Sequence, residues 1–138
     1  MIEAHNLPYQ ATACASYPAD LYNKVKKAIS IPGPKFIHIL APCPPGWKTP
    51  SEKTVEVGKL AVKSGIWVLW EKEYDKLTIS APSKAAMKRP VPVTDYLSMQ
   101  GRYKKVDAAL AAQIQANVDK NLRKMEAEGH KIRKSLDV

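Results

Sequence analysis

One cysteine sits in the stiffest stretch of this chain. Residues 35–49 read KFIHILAPCPPGWKT, an apolar run that passes without a turn signal into a proline-rich loop. Cys43 lies between Pro42 and Pro44, and Pro45 follows. Proline fixes its own φ and biases the residue before it toward extended backbone, so the thiol is held in one direction. Gly46 permits angles that other residues resist, and Trp47 can pack the loop down. A thiol held this way has two uses. It can be a structural side chain wedged between prolines, since free cysteines are often buried. It can also be one ligand of a metal or iron–sulfur centre whose other ligands lie elsewhere, because flanking prolines pre-orient the sulfur. The spacing leaves both open.

Other chemistry is sparse. Cys14 is the second of two cysteines, and no C-x-x-C is present, so the chain cannot build a zinc or iron–sulfur site alone. His5, His38 and His130 are far apart and lack H-E-x-x-H spacing. No carboxylate or second histidine is spaced to pair with His38, which reads as a buried or half-buried core residue. The six glycines make neither G-x-G-x-x-G nor a Walker loop. The chain by itself does not support a complete enzyme mechanism.

The elements that must position Cys43 follow from periodicity. Residues 1–6 resemble the tail of a helix that Pro8 ends. Residues 9–15, YQATACA, suit a short strand. Ser16 then reads as the N-cap of a helix with Pro18 and Asp20 in its first turn. Leu21, Val25, Ala28 and Ile29 give that helix one apolar face, and Ile31-Pro-Gly-Pro34 ends it. Residues 36–40 read as a strand covered on both faces. Thr49-Pro-Ser-Glu52 has the form of a capping box opening a helix to about Ser64, with Val55, Gly58, Ala61 and Val62 inward and Gly65 as C-cap. Gly58 allows close approach to a strand. Residues 66–74 and 76–80 read as two strands joined near Asp75. A basic, proline-bearing linker over 81–92 leads to a short helix capped by Thr94. The longest helix, over 107–134, carries the narrow stripe Leu110, Ile114, Val118, Leu122 and Met125. Strand–helix–strand order with right-handed crossovers predicts an α/β fold with a parallel sheet flanked by helices, a short hairpin and a long C-terminal helix. Ligands of such sheets bind beyond the carboxyl ends of the strands, and both cysteines fall at that edge. The expected organisation is residues 1–80 as the core, 81–106 as a basic linker with a short helix, and 107–138 as a C-terminal helix that contacts other subunits.

Composition excludes some classes. No apolar run approaches the ~18 residues of a membrane span, and no secretory signal opens the chain, so a cytoplasmic setting without a membrane partner is expected. The net charge is +9 over 138 residues. Residues 21–63 hold eight lysines and two acids, while residues 107–138 hold six bases and five acids. Bases are not interleaved with aromatics as in a single-strand binder. A solvated basic face, or one that docks an acidic protein, is therefore expected before nucleic acid.

Three runs carry a resemblance. KFIHILAPCPPGWKTPSEKTVEVGKLAVKSGIWVLWE resembles the C-terminal half of the β subunit of pyruvate:ferredoxin oxidoreductase (pyruvate synthase), in the 2-oxoacid:ferredoxin oxidoreductase family. ATACASYPADLYNKVKKAIS is similar to the preceding strand and helix, and PVTDYLSMQGRYKKV to its C-terminal signature. The resemblance implies the second half of a thiamine-diphosphate-binding α/β fold. It implies oxidative decarboxylation of a 2-oxoacid, taken as pyruvate, to acetyl-CoA on thiamine diphosphate and Mg2+. Electrons would pass through a [4Fe–4S] cluster to ferredoxin, in a hetero-oligomer with α-, γ- and δ-type subunits. It assigns Cys43 as one [4Fe–4S] ligand; the other three, and the G-D-G metal–diphosphate motif, are not in this sequence. Cys14 receives no role. These absences imply either a piece lacking about half of the usual subunit or a subunit that is split. The alternative expectation is a non-catalytic basic binding or assembly module.

Overall fold

The computed structural model describes residues 5–136, with side chains described through residue 127. The expected helix tail at residues 1–6 lies mostly outside them, as does the His130 side chain. Strand β1 (Tyr9–Cys14), helix α1 (Pro18–Ser30) and strand β2 (Lys35–Leu40) form a parallel crossover unit. A one-turn helix α2 (Pro44–Trp47) and a 3₁₀ turn (Ser51–Lys53) lead to α3 (Thr54–Lys63). The hairpin β3 (Trp70–Glu73) and β4 (Lys76–Ile79) follows, then α4 (Ala81–Lys88), α5 (Val93–Ser98), a 3₁₀ turn (Gly101–Tyr103) and α6 (Ala108–Leu136). The sheet order is β2-β1-β3-β4, with β3 antiparallel to β1 and β4 antiparallel to β3. The α/β class stands, and the hairpin makes the sheet mixed.

Strand alternation divides the core. Tyr9 and Ala11 face α1 and pack with Ala28, Ile31 and Ile37. Cys14 faces the other way and packs with Val62 and Leu69 under α3. A third cluster joins Val57 and Ala61 of α3 to Val93, Tyr96 and Leu97 of α5 and to Val118 and Leu122 of α6. The stripe expected on α6 thus docks its middle into the core, while Leu110 remains exposed. Asp107 Oδ1 accepts from the Leu110 N–H at 2.8 Å and caps that helix.

Several local expectations are corrected. Ser16 is not the cap of α1; Tyr17 holds that position without a side-chain bond, and Ser16 is buried against α3. Helix α1 turns Lys24 and Ala28 inward and leaves Ile29 exposed, because Lys24 finds partners beneath the helix. Its ammonium donates to the Thr12 carbonyl and pairs with Asp20, each at 2.7 Å. Burial pulls the Lys24 pKa below its usual value despite the pull of Asp20. Strand β2 is an edge strand, so Phe36, His38 and Ile39 are exposed rather than covered. Val57 replaces Val55 in the inward stripe of α3. Thr49 does not open a capping box, for reasons given below. Residues 81–88, expected as linker, form α4 with Pro82 in its first turn, where proline is tolerated. The short helix α5 starts from Pro92, with Thr94 already inside it.

A polar tie joins the sheet to α1. The Tyr9 hydroxyl donates to Glu71 Oε2 at 2.7 Å, and Lys27 donates to Glu71 Oε1. Burial alone would raise the Glu71 pKa, but the bonds from Lys27 and Tyr9 outweigh it and hold the carboxyl below its ordinary value. A lowered carboxyl pKa adds stability that is present above the ordinary glutamate value of 4.5 and lost as pH falls through the folded-state value. Burial, then Glu71, raises the Tyr9 pKa, so its contribution is intact below 10.0 and is lost above it. Urea unfolding of Glu71→Gln is therefore expected to show a shallower loss of stability below pH 4.5 than the wild type. Tyr9→Phe is expected to cost about 1–2 kcal/mol at neutral pH, by removing one hydrogen bond to a charged group.

Candidate functional site

The Cys43 loop begins where the parallel pair ends. Cys14 and Leu40 are register partners, and the Ala15 N–H donates to the Leu40 carbonyl at 3.0 Å, closing the carboxyl edge of β1 and β2. Cys43 itself is extended (φ −108°, ψ 102°), as the proline after it requires. Its carbonyl accepts from the Trp47 N–H at 2.9 Å, which closes the single turn of α2. The sulfur is exposed. A Cβ on Gly46 would come within 3.3 Å of Cys43 Sγ, so glycine keeps one side of the sulfur clear.

Cys14 shares the edge but not the environment. It is fully buried, its thiol points to the Gly58 carbonyl at 3.8 Å, and burial pushes its pKa up. It is a core side chain, and only Cys43 is open to a ligand. His38 lies exposed on β2 with its ring edge-on to Trp67, centroids 4.7 Å apart. The expectation of a buried or half-buried ring is overturned: among the described residues no strand pairs with the outer side of β2.

The loop is held from its far end by the segment around α5. Lys48 closes α2 in the left-handed region (φ 54°), and its carbonyl accepts from the Gly101 N–H at 3.0 Å. Thr49 Oγ1 donates to the Met99 carbonyl at 2.9 Å, which is why it does not cap α3. The Arg102 guanidinium lies 3.9 Å from the Trp47 ring centroid and 4.7 Å from that of Tyr103. Arg102 is the residue that sequence reasoning undervalued. Gln100, which the sequence offers with Tyr96, Leu97 and Met99 as a residue able to pack or reach a partner, is buried. A Cβ on Gly101 would stand 2.8 Å from Lys48 Cβ and 3.1 Å from its backbone oxygen. Gly101→Ala is accordingly expected to part the two segments and to blue- or red-shift Trp47 emission relative to the wild type.

A cleft of about 660 Å3 opens between α1 and the β4–α4 junction, lined by Asp20, Asn23, Lys24, Lys27, Glu71 and Lys84 among others. Lys24 pairs there with Asp20 and Lys27 with Glu71, so four of its charges are engaged with one another.

Among the described residues no group of three or more His, Cys, Asp or Glu side chains is placed to hold a metal ion. One exposed, pre-oriented thiol with a clear flank suits a single thiolate ligand of an iron–sulfur cluster completed by other residues. Among the described residues no helix is long and apolar enough to cross a membrane.

No protein-family model matches the chain. Curated relatives do. It is 48% identical over 119 residues, 86% of this chain and 39% of the relative, to pyruvate synthase subunit PorB of Methanocaldococcus jannaschii. It is 45% identical over 104 residues, 75% of this chain and 33% of the relative, to ketoisovalerate oxidoreductase subunit VorB of Pyrococcus abyssi. Against pyruvate synthase subunit PorB of Methanosarcina barkeri the identity is 38% over 133 residues, 93% of this chain and 44% of the relative. The chain thus spans less than half the length of each of these relatives.

Proposed function

We propose that this chain, which resembles the pyruvate synthase and ketoisovalerate oxidoreductase subunits over most of its length, is a portion of the β subunit of a pyruvate:ferredoxin oxidoreductase. The observation that carries the reading is 48% identity with a pyruvate synthase subunit across 86% of the chain. In the assembled enzyme pyruvate is oxidatively decarboxylated to acetyl-CoA, and electrons leave through a [4Fe–4S] cluster to ferredoxin. Thiamine diphosphate, bound with Mg2+ by parts of the enzyme outside this chain, supplies the carbanion stabilisation that decarboxylation needs. This chain's contribution is local. Cys43 gives one thiolate ligand to the cluster, and Pro42 and Pro44 fix its direction. Gly46 leaves the sulfur accessible. Helix α6 joins the chain to the other subunits along residues beyond its buried middle. The assembly works in the cytoplasm.

The substrate test is anaerobic turnover of the assembled enzyme, with viologen reduction followed in the presence of CoA and thiamine diphosphate. Pyruvate should be turned over at least about tenfold faster, per unit kcat/KM, than ketoisovalerate, the scale on which one or two methyl groups are discriminated in a pocket. The reverse order favours the second reading, a branched 2-oxoacid oxidoreductase, which rests on the 45% identity with VorB. No reduction with either acid removes the oxidoreductase reading and leaves the assembly module.

A further inference from the structure

We infer that Arg102 is a positioning residue for Cys43, acting through Trp47. The loop that carries the thiol has little structure of its own. Helix α2 is one turn long, and a single turn is not stable in isolation. Pro45, Gly46 and Lys48 are exposed. What holds the turn against the body of the chain is its last residue and the two that follow.

Arg102 is placed to grip that last residue. Its guanidinium is set between Trp47 and Tyr103, 3.9 and 4.7 Å from the ring centroids. A planar, delocalised cation is attracted to aromatic faces and stacks on them, which a lysine ammonium does less well. Two of its five N–H donors tether the guanidinium. Nε donates to Gln100 Oε1 at 3.0 Å, and Nη2 donates to the Tyr96 hydroxyl at 3.3 Å. Gln100 is in turn fixed: it is 1% exposed, and its Nε2 donates to the Tyr96 carbonyl at 2.8 Å. Tyr96 belongs to the central core cluster. A continuous path therefore runs from the core, through Tyr96 and Gln100, to Arg102 and the Trp47 ring. The Trp47 N–H then donates to the Cys43 carbonyl at 2.9 Å. Moving Trp47 moves the backbone that carries the sulfur. The tie at Gly101 and that at Thr49 hold the exit of the loop, while the Trp47 ring packs on the central core cluster and Arg102 covers that ring from outside.

The consequence for a cluster rests on the assignment of Cys43 as a ligand; the grip on the loop does not. Two measurements separate them. In the full chain, a nitroxide spin label is attached to Cys43, since Cys14 is fully buried. Arg102→Met keeps an unbranched side chain of similar reach and removes the planar charge. Its labelled spectrum should show faster motion, while the urea midpoint stays close to wild type because the Arg102 side chain is exposed. Arg102→Lys should fall between the two. Should Arg102→Met not fold, Arg102→Lys alone decides, and it must then be looser than wild type. Spectra that superimpose on wild type in a folded variant overturn the inference. In the assembled enzyme, iron loss to a chelator should be roughly 3- to 30-fold faster in Arg102→Met, the range set by a cation–π contact at exposed to partly desolvated sites. A loosened label with unchanged iron retention upholds the grip and overturns Cys43 as a ligand.

Discussion

Gly58→Ala is expected to destabilise the chain by about 1–3 kcal/mol, although alanine is the better helix former. A Cβ at this position would lie 2.1 Å from Ser16 Oγ, 2.9 Å from Ser16 Cβ and 3.2 Å from Cys14 Sγ. The hydroxyl can rotate away, but the Ser16 Cβ cannot, and both neighbours are buried. Propensity favours alanine over glycine by about 1 kcal/mol in a helix interior, so the overlap has to cost more than that for the sign to be unfavourable. It does, because relieving it requires α3 to lift from the end of β1. That movement opens the contacts of Val57, Ala61 and Val62, each fully buried and each worth roughly 1.5–3 kcal/mol or less by size. The check is urea unfolding of the full chain with a second variant. Ser16→Gly combined with Gly58→Ala removes the nearest atoms and should recover most of the loss. A double variant as unstable as the sum of the singles would place the cause elsewhere.

Gly58 also shows what the sequence made legible and what it did not. A glycine on the inward stripe of a helix predicts a close approach, and the approach is there. The parallel β1–α1–β2 unit and the proline-bracketed loop at its carboxyl edge were equally plain, because strand, helix and proline signals are local. The face of α1 was not. Apolar spacing pointed Val25 and Ile29 inward, yet the helix buries Lys24, whose partners are a strand carbonyl and Asp20. Partner availability across a sheet is invisible to a helical wheel. Thr49 failed for the same reason: its hydroxyl meets Met99, fifty residues away, and not the first turn of α3. Edge and centre of a sheet also cannot be told from an apolar run, and β2 with His38 lies at the edge of this sheet. The Arg102 grip joins two segments that only the tertiary fold brings together. Cys43 itself is legible as a held thiol, because the prolines that bracket it are adjacent in sequence.

On the proposed function, the larger functional effect belongs to Cys43. In the assembled enzyme, Cys43→Ala is expected to lower pyruvate-dependent electron transfer by at least about tenfold, since removing even an outer-shell partner of a metal site costs that much. Stability of the chain should change little, because the side chain is exposed and makes no hydrogen bond through its sulfur among the described contacts. Thiamine-dependent decarboxylation without electron transfer should survive, because nothing about Cys43 places it in the carbon chemistry. Cys14→Ala should do the opposite: it leaves the cluster intact and costs stability, as a buried side chain packed on Val62 and Leu69 does when truncated.

Iron stoichiometry and the reduced-state electron paramagnetic resonance spectrum of the assembled enzyme, wild type against Cys43→Ala, bear most directly on the account. It predicts a [4Fe–4S] signal in the wild type and a loss of that signal, with a fall in bound iron, in the variant. The same iron content and the same spectrum in both would contradict it.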